Sequence, residues 1–530
     1  MQSTIKKIAA VDNSFIDNFP GKRDLMTCPT AVRNLDIRND LSVSCPSLSG
    51  SADGEGCPAI AGWGEEAVGN VTCFEHIKPS PSERVWVSGL LALAPVFLIM
   101  LLILPLYAMS TSTDTFKDFE QHFIDGYNHL QIPPTEYSYR SYFTSIPAIE
   151  KLKEEEDFFI AQQKILATYN ASKLTPDEVV EFNHLHYEID LNLQRLQLEK
   201  QWILDGRKIP DGGLYSLTNH ENWYRYFVEL YSSTGITPEQ VYALGQSEVK
   251  RVKTEISNIQ SQLGFTDSAA FYSYLQSDTF YITDKQQIIN GFAHIDSMVR
   301  QHLKTFVGTA DIPTIYAMQW PDPGPTTPPG IYLNKNDNPY GKDVFQYNFY
   351  GGRYNRRAMD WLYMHEAIPG HHLQFSFFGK LKNKSPLHDL FMYPGNFEGW
   401  ACYVEYQGKD FGLYTDPYSY LGKWEWDLVR SARLVLDVGI HYYGWTRQQA
   451  LDYWKANIPG QDDIAEREVS RVTNWPSQAL SYKTGADFIT KLRDKWQQKY
   501  PERNLQEFYS SYLEAGMLPL VVMEKKLIGG

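Results

Sequence analysis

Residues 365–372 read His365-Glu366-Ala367-Ile368-Pro369-Gly370-His371-His372, three histidines and a glutamate around a Pro-Gly pair. Imidazole and carboxylate at this spacing form the donor set of zinc hydrolases. There, two His one helical turn apart face the ion and the Glu beside the first activates water. Trp361-Leu362-Tyr363-Met364 leads into His365 as a helical run. A regular helix would need its second His at 369, where Pro369 stands. His372 lies seven residues on, about 10 Å along a straight axis. Two imidazoles that far apart cannot share an ion at about 2.0–2.1 Å each. Pro369 removes a backbone donor and clashes with the preceding turn, and Gly370 admits unusual dihedrals. A bulge there brings a later histidine beside His365. Leaving Pro-Gly out of the count restores H-E-x-x-H and puts His371, ahead of His372, in the second ligand position. The spare histidine is then expected to bind substrate or steady an oxyanion.

A hydrolytic site takes three protein ligands and keeps one position for water. Glu398, in Asn396-Phe397-Glu398-Gly399-Trp400-Ala401, is the candidate third ligand, on the next helical stretch. Glu405, two turns on, is an alternative ligand or a partner of one. The expectation is one Zn2+ held by His365, His371 and Glu398, with Glu366 as general base. The reaction is hydrolysis of a peptide bond, or of an amide or ester of similar geometry, and the substrate is a peptide or a small amide. Two rival readings remain at this point. One is a membrane-anchored protein that binds metal or peptide without catalysis, which would not need Glu366. The other is a closed structural zinc site.

The match extends beyond the motif. Glu398-Gly399-Trp400-Ala401 with Tyr403 and Glu405 is one block. Arg433-Leu434-Val435 with Asp437, Gly439, His441 and Gly444-Trp445-Thr446 is a second. Glu468-Val469 with Arg471, Pro476, Gln478-Ala479, Tyr482-Lys483 and Gly485 is a third, and Gly516-Met517-Leu518-Pro519-Leu520 closes the series. With HExxPGHH, these blocks resemble domain-of-unknown-function family 885 over roughly residues 113–528. Val472 departs from the pattern, where Tyr is expected. The resemblance implies a mainly helical fold related to thermolysin-like zinc peptidases, with a deep cleft. It implies no particular substrate.

The same blocks have physical readings of their own. Asp437 and His441 are four apart, on one helix face, so Asp437 could orient His441 or a metal-bound His. His441 is thereby placed near the substrate. The planar fork of Arg471 matches a peptide carboxylate. Tyr482 could donate to a tetrahedral oxyanion. Tyr332 and Asn334, on the strand-like run Ile331–Asn334, could pair with an extended substrate.

Long helices must carry these groups. Thr175-Pro176-Asp177-Glu178 and Thr237-Pro238-Glu239-Gln240 are capping boxes with Pro at the first helical position, and Thr446-Arg447-Gln448-Gln449 repeats the device. Residues 320–330, WPDPGPTTPPG, must be a loop. The expected domain at 113–530 is therefore mainly α, with a small β element just before the motif. Cys402 reads as a buried small side chain. A net charge of −14 argues against nucleic acid as a partner.

The N-terminal part differs. Residues 1–84 are rich in Ser, Gly, Pro, Asn and Asp and carry Cys28, Cys45, Cys57 and Cys73. They read as a low-order segment, either native or foreign to the natural protein, whose cysteines could pair in an oxidising compartment. Residues 85–108 are 24 in a row without a charge. A helix needs roughly 20 to span a bilayer. The run is a transmembrane helix or a signal segment. Lys78 and Arg84 before it, against Lys117 after it, favour the large domain outside. The expectation is a membrane-anchored or secreted protein. Asn170-Ala171-Ser172 and Asn383-Lys384-Ser385 fit glycosylation acceptors.

Overall fold

The computed structural model describes residues 115–133, 138–309, 311–381 and 384–529. The segment 1–84, its four cysteines, the apolar run 85–108 and Asn383 lie outside these residues. Among the described residues no helix is long and apolar enough to cross a membrane.

Seventeen α-helices make up most of the described chain. The first five are α1 (Phe116–Leu130), α2 (Tyr139–Ser145), α3 (Ile149–Leu166), α4 (Pro176–Leu204) and α5 (His220–Ser232). They pack on one apolar core that includes Phe123, Phe143, Trp223 and Tyr224. Then come α6 (Pro238–Gln262), α7 (Ser268–Leu275) and α8 (Lys285–Val307). The capping boxes form as expected: Thr175, Thr237 and Thr446 each accept from the backbone three residues on, and the side chain there reaches back.

Five short strands precede the motif: β1 (Tyr281–Ile282) just before α8, then β2 (Tyr316–Gln319), β3 (Gly330–Leu333), β4 (Val344–Tyr347) and β5 (Tyr354–Asn355) after it. β2 runs parallel to β4 and β3 antiparallel to it, in the order β2-β4-β3, while β1 pairs with β5. β3 is thus an edge. It lies close against the motif helix, because a Cβ on Gly330 would meet Leu362 Cδ1 at 2.8 Å and Glu366 Cγ at 3.4 Å.

The motif sits on α9 (Met359–Glu366) and α10 (His371–Lys380). After them come α11 (Pro394–Glu405), α12 (Pro417–His441), α13 (Arg447–Asn457), α14 (Ala465–Asn474), α15 (Ser481–Lys499), α16 (Leu505–Glu514) and α17 (Leu520–Ile528). α11 and α15 approach to backbone contact. A Cβ on Gly399 would stand 2.6 Å from the Gly485 Cα, so no larger residue fits at the crossing. The largest core joins α8 to α11, the sheet and α15 to α17, and it includes Trp361, Met364, Trp400 and Trp496.

Candidate metal centre

The helix does not bulge through the Pro-Gly pair; it stops and restarts. α9 ends at Glu366, Ala367 leaves helical geometry with φ −104° and ψ −109°, and α10 begins at His371. The connecting residues fold back on the end of α9. A Cβ on Gly370 would lie 1.9 Å from the His365 carbonyl oxygen and 2.3 Å from that of Met364. Only Gly fits there. Trp400 Nε1 donates to the Pro369 carbonyl at 2.8 Å, tying this turn to α11, and the His372 amide donates to the Ala367 carbonyl at 3.1 Å.

This turn puts His371 beside His365, with ring centroids 4.8 Å apart. Glu398 comes from α11 to meet both: its Oε2 is 3.4 Å from His365 Nε2 and 3.4 Å from His371 Nε2. A tetrahedral zinc ion at about 2.0–2.15 Å holds its ligand atoms roughly 3.3–3.5 Å apart. Both distances fit ligands of one ion, and ligand atoms of the three residues all lie within 4.8 Å of one another. Glu398 Oε2 is buried and makes no hydrogen bond among the described residues. A buried acceptor is rarely left so, and a cation would satisfy it. Burial alone would raise the Glu398 carboxyl, but the His365 and His371 rings hold it well below the usual carboxylate range.

His365 is held from behind. Its Nδ1 lies 2.8 Å from Glu405 Oε1, and Arg430 Nη1 donates to Glu405 Oε2 at 2.7 Å. All three side chains are buried. A proton on Nδ1 shared with Glu405 leaves the Nε2 lone pair facing Glu398 and His371, as metal-binding His side chains require. Burial would lower the His365 pKa, but Cys402, Glu398 and Glu405 raise it well above its ordinary value. A divalent cation would take that proton's place. Glu405 is not an exposed helix charge, and Cys402 is buried as expected.

Glu366 lines the same cleft, and burial raises its carboxyl above the usual value. The cleft has a volume of about 520 Å³. Tyr142, Arg195 and Glu199 line it, and so do Arg433, Arg467 and Arg471. Tyr482 stands between His365 and the second group. Its ring lies nearly parallel to that of His365, at 18° and 6.2 Å, and its hydroxyl accepts from Arg471 Nη2 at 3.2 Å.

The model of a family described as a bacterial protein of unknown function, DUF885, matches residues 207–527. The chain belongs to the DUF885 family. The match starts well after residue 113, so the helices before α5 lie outside it. No curated protein matches the chain. A crystal structure of a candidate lipoprotein from Colwellia psychrerythraea is similar in fold, with TM-score 0.56 and 20% identity over 81% of this chain and 78% of that one. A candidate lipoprotein of unknown function from Shewanella oneidensis gives TM-score 0.52 and 17% identity over 81% of this chain and 91% of that one.

The site residues expected from the sequence divide into those that meet at the cleft and those that do not. His365, Glu366, His371, Glu398, Arg471, Tyr482 and Tyr332 all line it. His372 does not: it is fully buried, its Nε2 2.8 Å from the Pro313 carbonyl and its Nδ1 3.4 Å from the Tyr332 hydroxyl. One residue on a helix turns the side chain by about 100°, so neighbours cannot both face the ion. His372 is a strut under β3, not an oxyanion donor. His441 is also a strut, not a substrate contact. Its Nδ1 accepts from the Leu214 amide at 3.1 Å and its Nε2 is 2.9 Å from the Val472 carbonyl. Asp437 serves neither His441 nor a metal ligand. It accepts from Tyr224 Oη at 2.7 Å and from the Ser477 amide at 3.1 Å. Asn334 lies past the end of β3, off the cleft, and its amide donates to the Tyr332 hydroxyl at 3.3 Å.

Sequence reasoning missed Arg430 and Arg467 and gave Arg433 no role of its own. A signal existed. Along α12, Lys423, Asp427, Arg430, Arg433, Asp437 and His441 recur every three or four residues, and all are buried. A charged stripe at helical spacing inside an apolar helix marks groups that are paired in the interior.

Proposed function

We propose that this chain is a zinc-dependent hydrolase, and specifically a peptidase. The observation that carries the reading is the cluster of His365, His371 and Glu398, whose ligand atoms lie within 4.8 Å of one another, with Glu398 Oε2 at tetrahedral-ligand spacing from both Nε2 atoms, in a cleft that also holds the Glu366 carboxylate. A bound zinc ion supplies Lewis acidity toward water and the scissile carbonyl. Glu405 and Arg430 fix the tautomer and direction of His365. Glu366 takes a proton from the attacking water and returns it to the leaving nitrogen, so that hydroxyl adds to the acyl carbon as the C–N bond breaks. Tyr482 accepts from Arg471 and keeps its own proton, which burial holds in place, for the developing oxyanion. The edge strand β3 runs along the cleft through Ile331 and Tyr332, where an extended peptide can add to it.

Extended peptides are the favoured substrate, with small amides as the alternative. The apolar run 85–108 and the lipoprotein descriptions of the two similar structures support a domain displayed outside the cytoplasm and tethered to a membrane.

Glu366→Gln is the direct test. The expected outcome is bound zinc retained at about one ion per chain, measured by plasma mass spectrometry, with turnover of a mixed peptide library reduced on the order of 10³-fold or more. Full activity in the variant would remove the general-base role, and a folded wild-type chain that takes up no zinc would remove the reading itself.

A further inference from the structure

A second cluster of metal-ligating side chains lies apart from the cleft. Glu181 and His184 are three apart on α4, so they share one face. His388 meets them from the short helical turn Pro386–Asp389, between α10 and α11. Ligand atoms of the three residues lie within 4.8 Å of one another, and none of the three lines the cleft. Both imidazoles address the one carboxylate. His388 Nε2 is 2.9 Å from Glu181 Oε1, and His184 Nδ1 is 3.6 Å from Glu181 Oε2. These separations bracket the roughly 3.3–3.5 Å between ligand atoms of a tetrahedral zinc ion. His184 and His388 are buried, His184 completely.

The hydrogen bonding of this cluster is incomplete. Glu181 Oε2, His184 Nδ1 and His388 Nδ1 are buried atoms that make no hydrogen bond among the described residues. A triad that served only to pack would have them paired. His184 shows what is missing. Tyr393 donates its one hydroxyl proton to Glu188 Oε1 at 2.5 Å, so the same oxygen accepts from His184 Nε2 at 2.6 Å. The proton of a neutral His184 is therefore on Nε2, and Nδ1 turns a lone pair toward the Glu181 carboxylate. Two acceptors then face each other across 3.6 Å, too far to share a proton well. A cation between them would satisfy both. His388 can join, because its unpartnered Nδ1 can hold the ring proton while Nε2 presents a lone pair. Tyr393 and Glu188 stand behind His184 as Glu405 and Arg430 stand behind His365.

We infer that Glu181, His184 and His388 form a second zinc site, which fastens α4 to the turn leading into α11. Two imidazoles with one carboxylate suit zinc, whereas calcium and magnesium take oxygen ligands. The site joins parts of different standing in the chain. α4 precedes the 207–527 family match, and His388 lies inside it. The ion would thus pin the early helices to the conserved body of the fold. Its effect reaches the cleft indirectly, since Glu188 and Tyr393 both line the cleft wall. The inference stands apart from the peptidase reading and does not need it.

The experiment counts zinc on the full chain, stripped with chelator and reloaded at micromolar zinc, by plasma mass spectrometry. With both sites filled the wild-type chain holds about two ions, the cleft's one and this one. His371→Ala, or Glu398→Gln in its place, removes a cleft ligand and should still hold about one. Adding His184→Gln should bring the count close to zero, with His388→Gln as the second variant should His184→Gln fail to fold. Zinc should also raise the thermal midpoint of His371→Ala by a few degrees and leave that of the double variant unmoved. The count of about one expected of Glu366→Gln is the cleft's share, and His184→Gln isolates it. A folded His371→Ala chain that takes up no zinc overturns the site. So does zinc that survives both His184→Gln and His388→Gln in that chain. A wild-type count of about one that His371→Ala leaves unchanged and His184→Gln abolishes upholds this site and overturns the zinc-hydrolase reading of the cleft.

Discussion

His365 shows how little of a candidate metal ligand lies in the side chain itself. Glu405 fixes which of its nitrogens faces Glu398, and Arg430 fixes Glu405. Glu405→Gln should therefore lower zinc affinity by about 10–100-fold, read by competition with a chromophoric chelator, without removing any ligand. Unchanged affinity would mean that Glu405 does not act through His365. His365, Glu366, His371 and Glu398 were legible in the sequence because three of them share one short segment and the fourth follows on the next long helix of the motif. Arg430 was not. Its partner Glu405 is 25 positions away and His365 is 65 positions away, and nothing in one string pairs them. His372 and His441 were misread for a related reason. A residue letter states what a side chain can do, but not the direction in which it points.

At the scale of elements, the arrest and restart between α9 and α10 does the positioning. Gly370→Ala places a methyl against the carbonyls of His365 and Met364. The expected cost is about 1–3 kcal/mol of stability with loss of bound zinc, read from the denaturant midpoint and the metal content. Gly379→Ala, on α10 where a methyl meets nothing within 4 Å, is the control and should retain both. Intact zinc binding in Gly370→Ala would show that the turn is not what aims His371. The helices themselves were the most legible feature. Their capping boxes are local, each closed within three residues, so Thr175, Thr237 and Thr446 declare themselves in the sequence. The direction of the Pro-Gly break was harder to see. A bulge and a restart look identical as letters, and only the packing of Trp400 against Pro369 distinguishes them.

Taken as a whole, the molecule hides many charges, and their pairing sets its response to acid. Glu468 and Glu181 have folded pKa values of about 2, against an ordinary value of 4.5. For Glu468 the arginines outweigh burial; for Glu181 the neighbouring His184 and His388 do so. A depressed folded pKa favours the folded state above the unfolded value, and that advantage is lost as the proton is forced on. Between pH 4.5 and about 2, each of these two groups should surrender on the order of 3 kcal/mol. Thermal unfolding of the chain in chelator, followed by circular dichroism from pH 7 to 3, should show a midpoint falling steeply below about pH 4.5. A flat profile would show that these carboxylates are not held as ions in the fold.

The hydrogen bond from Trp400 to the Pro369 carbonyl has one more consequence, for anyone who wishes to move this centre elsewhere. It fastens the turn bearing His371 to the helix bearing Glu398, two positions before that Trp. The eight-residue signature is therefore not a portable module. Grafted alone into another scaffold it would lose the brace that shapes its turn. A transplant that hopes to hold metal must carry both helices, the glycine that lets the chain double back and the indole that clasps it, as a single part.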